Sequence, residues 1–71
     1  MENGLTDREK SVLFYLAQGL TNEEISRKLH ISVHTVKAHL EAIYEKFNVV
    51  NRVQAVMKGV NLNLIDSKAV V

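Results

Sequence analysis

Thr21-Asn22-Glu23-Glu24-Ile25-Ser26-Arg27-Lys28-Leu29-His30-Ile31-Ser32-Val33-His34-Thr35-Val36-Lys37 contains two helix starts in quick succession. Thr21-x-x-Glu24 is a capping box: the threonine hydroxyl accepts from the Glu24 N–H, and the Glu24 carboxylate reaches back to the Thr21 N–H. The short helix it opens buries Ile25 and Leu29, and the small Ser26 beside them admits close approach of another helix. Ser32 reads as the next N-cap, with Ile31 before it and Val36 four residues after it placed as a hydrophobic staple. His30 and Ile31 therefore cannot extend the preceding helix. Two capped helices joined by three or four residues form a helix-turn-helix.

The same grammar extends outward. Leu5-Thr6-Asp7-Arg8-Glu9 carries a further capping box, and Val12, Leu13, Leu16 and Ala17 follow at helical spacing up to Gly19, which predicts a first helix over about 7–18. The helix after Ser32 is expected over 33–47. On a wheel, Val33, Val36, Leu40, Ile43 and Phe47 share one stripe with Tyr44 at its edge. His34, Lys37, Ala38, Glu41 and Glu45 lie opposite, and Thr35, His39, Ala42 and Lys46 lie along a flank. Asn48 is suited to the left-handed residue that ends the helix. Asn51-Arg52-Val53-Gln54 opens a fourth helix. Its apolar positions are Val53, Val56, Met57 and Val60 in one sector and Ala55, Gly59 and Leu62 in the next. That is wider than one core-facing stripe needs. Either a partner covers part of it, or the tail at Leu64-Ile65 folds back over it. Residues 1–4 read as a flexible start or linker, and 66–71 as a tail that frays.

The fold class is therefore all-α: a compact four-helix bundle containing a helix-turn-helix, in one domain over 5–65. Composition agrees. Hydrophobic residues make up 46% and charged residues 24% of 71, as in globular chains, and there is no proline to break a helix. At this size folding buries only about 60% of the unfolded surface. No cysteine is present, which excludes disulfides and thiolate metal sites. No apolar run approaches the roughly 20 residues that span a bilayer. Nine Lys+Arg face eight Asp+Glu, for a net charge of +1. A protein that coats nucleic acid without regard to sequence is usually more basic, so charge alone favours no partner.

Read in order, Leu5-Thr6-Asp7-Arg8-Glu9, Gly19-Leu20-Thr21-Asn22-Glu23-Glu24-Ile25, Ile31-Ser32-Val33-His34-Thr35-Val36-Lys37-Ala38-His39 and Asn51-Arg52-Val53-Gln54-Ala55-Val56 resemble the LuxR/FixJ-type DNA-binding domain. This is the output domain of many bacterial response regulators and quorum-sensing regulators. The resemblance runs without a gap from Leu5 to about Ile65. It implies that the third helix enters the major groove of duplex DNA, with Lys37 and its neighbours Ala38, Glu41 and His34 toward the bases. It implies that Thr35, His39, Lys46 and Arg52 lie near the phosphate backbone or support the fold there, His39 as a phosphate-side donor or a packed flank residue. Thr21, Asn22 and Ser32 are expected to join them at helix N-termini. The fourth helix, through Val53, Val56, Met57 and Val60, is implied to be a homodimer interface. The expected function is sequence-specific transcription regulation in the cytoplasm as the output domain of a two-component response regulator, with RNA polymerase as a further partner. No membrane, small-molecule ligand or cofactor is expected.

The chain departs from the family pattern at three points. Glu41 and Glu45 are acidic on the base-facing side, Asn48 replaces a glycine, and Ser26 stands where alanine is common. Glu41 can accept from the N4 amino group of cytosine, or it can pair with Lys37 at i, i+4 and only support the helix. Metal binding is not expected: His30 precedes the Ser32 cap, so it does not share a helical face with His34, and no His-Glu-x-x-His pattern occurs. No glycine-rich loop, nucleophile elbow or carboxylate pair supports an enzyme. Two alternatives remain. One is a sigma-factor-like promoter-reading domain, against which the Asn51-Arg52 helix start argues. The other is a protein-interaction module with lost or weak DNA binding, which the two glutamates favour.

Overall fold

The computed structural model describes residues 4–70, so the first three residues of the expected flexible start lie outside the described residues. Four α-helices follow one another: α1 (Asp7–Ala17), α2 (Asn22–Leu29), α3 (Val33–Phe47) and α4 (Arg52–Asn61). No strand occurs among the described residues. Each helix begins where its cap predicts. Glu9 N donates to Thr6 Oγ1 at 3.1 Å, and Thr6 N donates to Glu9 Oε1 at 3.0 Å. The second box is formed likewise, with Glu24 N to Thr21 Oγ1 at 3.1 Å and Thr21 N to Glu24 Oε1 at 2.8 Å. At α4, Gln54 N donates to Asn51 Oδ1, while the Gln54 side chain accepts from Val50 N rather than from the cap residue.

The turn between α2 and α3 is three residues long, and His30 takes the left-handed conformation at φ 56°. Among non-glycine residues, histidine is one of the few enriched in that region. It lets Ile31 N donate back to Ser26 O at 3.0 Å and aims the chain into the Ser32 cap. Asn48 ends α3 in the same conformation, at φ 57°. α1 stops at Ala17, with Gln18 as its cap and Gly19 left-handed just beyond.

The core is built from Leu5, Val12, Leu13, Leu16 and Ala17, Ile25 of α2, Val36, Leu40, Ile43 and Phe47 of α3, Ala55 of α4, and Ile65. Ile31 and Leu29 pack half-buried against it. The small positions Ala55 and Gly59 let α4 lie close to α1. A methyl group at Gly59 would sit 2.7 Å from Ile65 Cδ1 and 3.0 Å from Leu13 Cδ2. After α4, Asn63 turns left-handed, and Leu64 N and Ile65 N both donate to Gly59 O.

The tail thus folds back and buries Ile65. It covers the Ala55–Gly59 side of α4 and leaves Val53 and Met57, at 64% and 61% exposure, in solvent. Beyond Ile65, Ser67–Ala69 form a short 3₁₀ turn capped by Asp66, which accepts from Lys68 N at 2.9 Å, and Ala69 packs half-buried against the core. Val71, the last residue of the expected frayed tail, lies outside the described residues.

Candidate nucleic-acid interface

α3 presents two faces with unlike duties. Val36, Ile43, Leu40 and Phe47 are buried, which holds the helix against α1 and α2. On the opposite side His34, Lys37, Ala38, Glu41 and Glu45 are all exposed. None of these five side chains has a hydrogen-bond or ion-pair partner among the described residues. The i, i+4 pair between Lys37 and Glu41 is thus not formed. Their side chains project one helical turn apart, about 6 Å along the axis, with the Ala38 methyl beside them.

The start of α3 differs electrostatically from the starts of α1 and α2. Those helices each carry two acidic residues in the first turn, Asp7 and Glu9 in one and Glu23 and Glu24 in the other. α3 has none, so the positive end of its dipole is not offset by a carboxylate in its first turn. Ser32 Oγ accepts from Thr35 N at 3.0 Å and lies 2.9 Å from Thr35 Oγ1. One of these two hydroxyls donates to the other, which leaves the second hydrogen free for an outside acceptor.

The flank residues expected near phosphate are more heavily engaged. Lys46 Nζ lies 2.7 Å from Glu9 Oε1, and the Glu9 side chain is only 8% exposed. Burial pushes the Glu9 carboxyl up. The hydrogen bond from Lys46, the Thr6 amide and the charges of Lys46 and His39 outweigh it, and the carboxyl is held below its ordinary value of 4.5. Arg52 Nη2 donates to Leu20 O at 3.0 Å, tying the start of α4 to the loop before α2. Both cations keep further N–H groups, since an ammonium has three and a guanidinium five. His39 is half-buried, Asn22 half-buried and Thr21 exposed. The exposed Glu24 carboxyl is also held below 4.5, chiefly by the Thr21 amide that it caps.

One bracing residue has no local sequence signal. Arg8 Nη1 donates to Leu29 O at 3.3 Å, from the first turn of α1 to the last residue of α2, 21 positions away. The pairing of Glu9 with Lys46, 37 positions apart, was hidden for the same reason. A capping box explains Glu9 completely at the level of sequence. The expected interface residues of α4 divide in the structure, with Val53 and Met57 exposed and Val56 and Val60 half-buried. Beside them a shallow groove of about 300 Å³ is lined by Leu16, Ala17, Arg52, Val53, Met57 and Val70, among others. Among the described residues no group of three or more His, Cys, Asp or Glu is placed to hold a metal ion. No helix among the described residues is long and apolar enough to cross a membrane.

The family described as "GerE: Bacterial regulatory proteins, luxR family" matches residues 3–58. The chain belongs to the LuxR family. It is a helix-turn-helix DNA-binding domain of the LuxR type, and the family is one of regulatory proteins rather than of enzymes. A relative in Escherichia coli (strain K12), YhjB, which bears the name of an HTH-type transcriptional regulator, is 51% identical over 53 residues. That match covers 75% of this chain and 26% of YhjB. The response regulator protein VraR of Staphylococcus aureus (strain Mu3 / ATCC 700698) is 43% identical over 61 residues, covering 86% of this chain and 29% of VraR. The chain therefore spans less than a third of the length of these curated relatives. The solved structure of the transcription factor GerE superposes with a TM-score of 0.84 at 30% identity, covering 89% of this chain and 94% of that one.

Proposed function

We propose that this LuxR-type domain binds duplex DNA sequence-specifically and regulates transcription, with α3 in the major groove. Lys37, Ala38, Glu41 and His34 then face base edges. Thr21, Asn22, Ser32, Thr35, His39, Lys46 and Arg52 fix the register on phosphates, as polar side chains and helix N-termini do in such complexes. Two copies meet through Val53, Val56, Met57 and Val60 of α4 and read paired half-sites. VraR is named a response regulator. In this reading the domain is the output module of a two-component response regulator that acts in the cytoplasm and engages RNA polymerase.

The observation that carries this reading is the outward stripe of α3. Five exposed side chains without partners stand on a helix whose other face is locked into the core. A helix held rigidly with its polar face free is what a major groove admits. Lysine donation to guanine O6 or N7 is a strong direct contact in that groove.

The test is a fluorescence titration of the chain against a duplex selected from a random pool, repeated at several salt concentrations. Lys37→Ala is expected to weaken binding to the selected duplex by about 1–3 kcal/mol. Because Lys37 has no partner in the fold, its loss leaves the unfolding temperature unchanged. An affinity unaltered by that substitution removes α3 from the groove.

A second reading has an observation of its own. The outward stripe carries one cation, Lys37, and two carboxylates, Glu41 and Glu45, while the Lys46 ammonium rests on Glu9. A protein-interaction module needs no phosphate-facing charge. Absence of any salt-dependent duplex binding at low ionic strength would favour it.

A further inference from the structure

Glu41 stands on the stripe proposed to meet the bases, one turn from Lys37, exposed and unpaired. An ionised carboxylate has no proton to give and can only accept. In the major groove, guanine offers the acceptors O6 and N7, and thymine offers O4 and a methyl group. Adenine has a donor at N6 but an acceptor beside it at N7. Cytosine N4 is the one donor without a neighbouring acceptor on its own base. A carboxylate therefore gains at cytosine and is repelled or desolvated elsewhere.

The surroundings sharpen that discrimination. Lys37 does not neutralise Glu41, and the nearest cation toward the end of α3, Lys46, is drawn away to Glu9. The stripe thus has little general attraction for phosphate to mask a wrong base.

We propose that Glu41 is the selectivity residue of this domain. It accepts from the N4 amino group of a cytosine lying within about two base-pair steps of the guanine that Lys37 contacts. The spacing follows from the roughly 6 Å rise between the two residues and the stacking of bases at about 3.4 Å. This rests on the reading that α3 enters the major groove. The same carboxylate lowers affinity for duplexes that lack the cytosine, so selectivity comes from rejection of wrong sites as well as from a gained hydrogen bond.

The test is selection of binding sites from a random duplex library by the full chain, by Glu41→Gln and by Glu41→Ala, with thermal unfolding of each as a fold control. Sites selected by the wild-type chain are expected to share a cytosine near a guanine. With Glu41→Gln, that position moves toward adenine, which a glutamine amide reads at N6 and N7. With Glu41→Ala, the preference at that position disappears, the guanine is retained, and affinity for random duplex rises. Replacing the cytosine of a selected site by thymine is expected to cost the wild-type chain about 5- to 100-fold in affinity and the alanine variant nothing. A cytosine preference that persists in both variants, or wild-type sites with no shared cytosine, overturns the proposal while leaving DNA binding intact. Failure of the wild-type chain to enrich any duplex overturns the DNA-reading function itself, and this assignment with it.

Discussion

Glu9 does two jobs that belong to different levels of the structure. Its carboxylate closes the Thr6 capping box and also receives the Lys46 ammonium from the far end of α3. A carboxylate this deeply buried is tolerated because both partners favour its charged form. The folded state holds the Glu9 carboxyl below its ordinary value of 4.5. A group depressed on folding contributes stability above its unfolded value, and that contribution is lost as pH falls through the folded value. Thermal unfolding followed from pH 7 to pH 3 is expected to show the loss setting in below about pH 5. Glu9→Gln is expected to be less stable by about 1–3 kcal/mol at pH 7. It should also lose less on acidification, so the two curves converge. Parallel curves would show that the ion pair contributes nothing to the pH dependence.

Among the elements, α4 depends most on what its neighbours do. Its core side is made of the small residues Ala55 and Gly59, and the space above Gly59 is filled by Ile65 from the returning tail and by Leu13 from α1. Glycine weakens a helix interior by about 1 kcal/mol relative to alanine. Here a Cβ would have room only if the Ile65 and Leu13 side chains shifted. Gly59→Val would drive two further methyl groups into Ile65 and Leu13, and is expected to lower stability by about 1–3 kcal/mol by overpacking. Chemical denaturation measures this, and a variant as stable as the wild-type chain would mean that the tail does not pack on α4. The helix-turn-helix is by contrast locally specified. Thr21 and Ser32 caps, the excluded His30-Ile31 pair and the stripe ending at Phe47 all stand where their spacing put them. What spacing could not reveal is that His30 takes the left-handed conformation, since histidine there is allowed rather than required.

At the scale of the whole molecule, an apolar stretch of α4 lies open to solvent. Val53 and Met57 lie one turn apart beside the groove that reaches Leu16 and Val70. In the proposed dimer this surface meets its own copy, and a two-fold axis brings each residue close to its counterpart. Met57→Glu would set two carboxylates against each other there. Sedimentation equilibrium is expected to show at least about a tenfold rise in the dimer dissociation constant, with the unfolding temperature of the monomer unchanged because Met57 is exposed. Association that is insensitive to the substitution would take α4 out of the interface.

The linear chain determined by itself the four helices, their starts and the division of α3 into a core stripe and a free stripe. Capping boxes act over three residues and amphipathic stripes over one helix, so both are complete within a short window. The outward position of His34, Lys37, Ala38 and Glu41 was legible for the same reason, while their place toward bases is what the family resemblance implies. Only the tertiary structure decided which polar residues are already committed. Lys46 reaches Glu9, Arg52 reaches Leu20 O and Arg8 reaches Leu29 O, each across tens of residues of sequence. It also divided the surplus apolar surface of α4 between the returning tail and solvent. These outcomes depend on how close two helices come once the core is packed, and no local spacing encodes that distance.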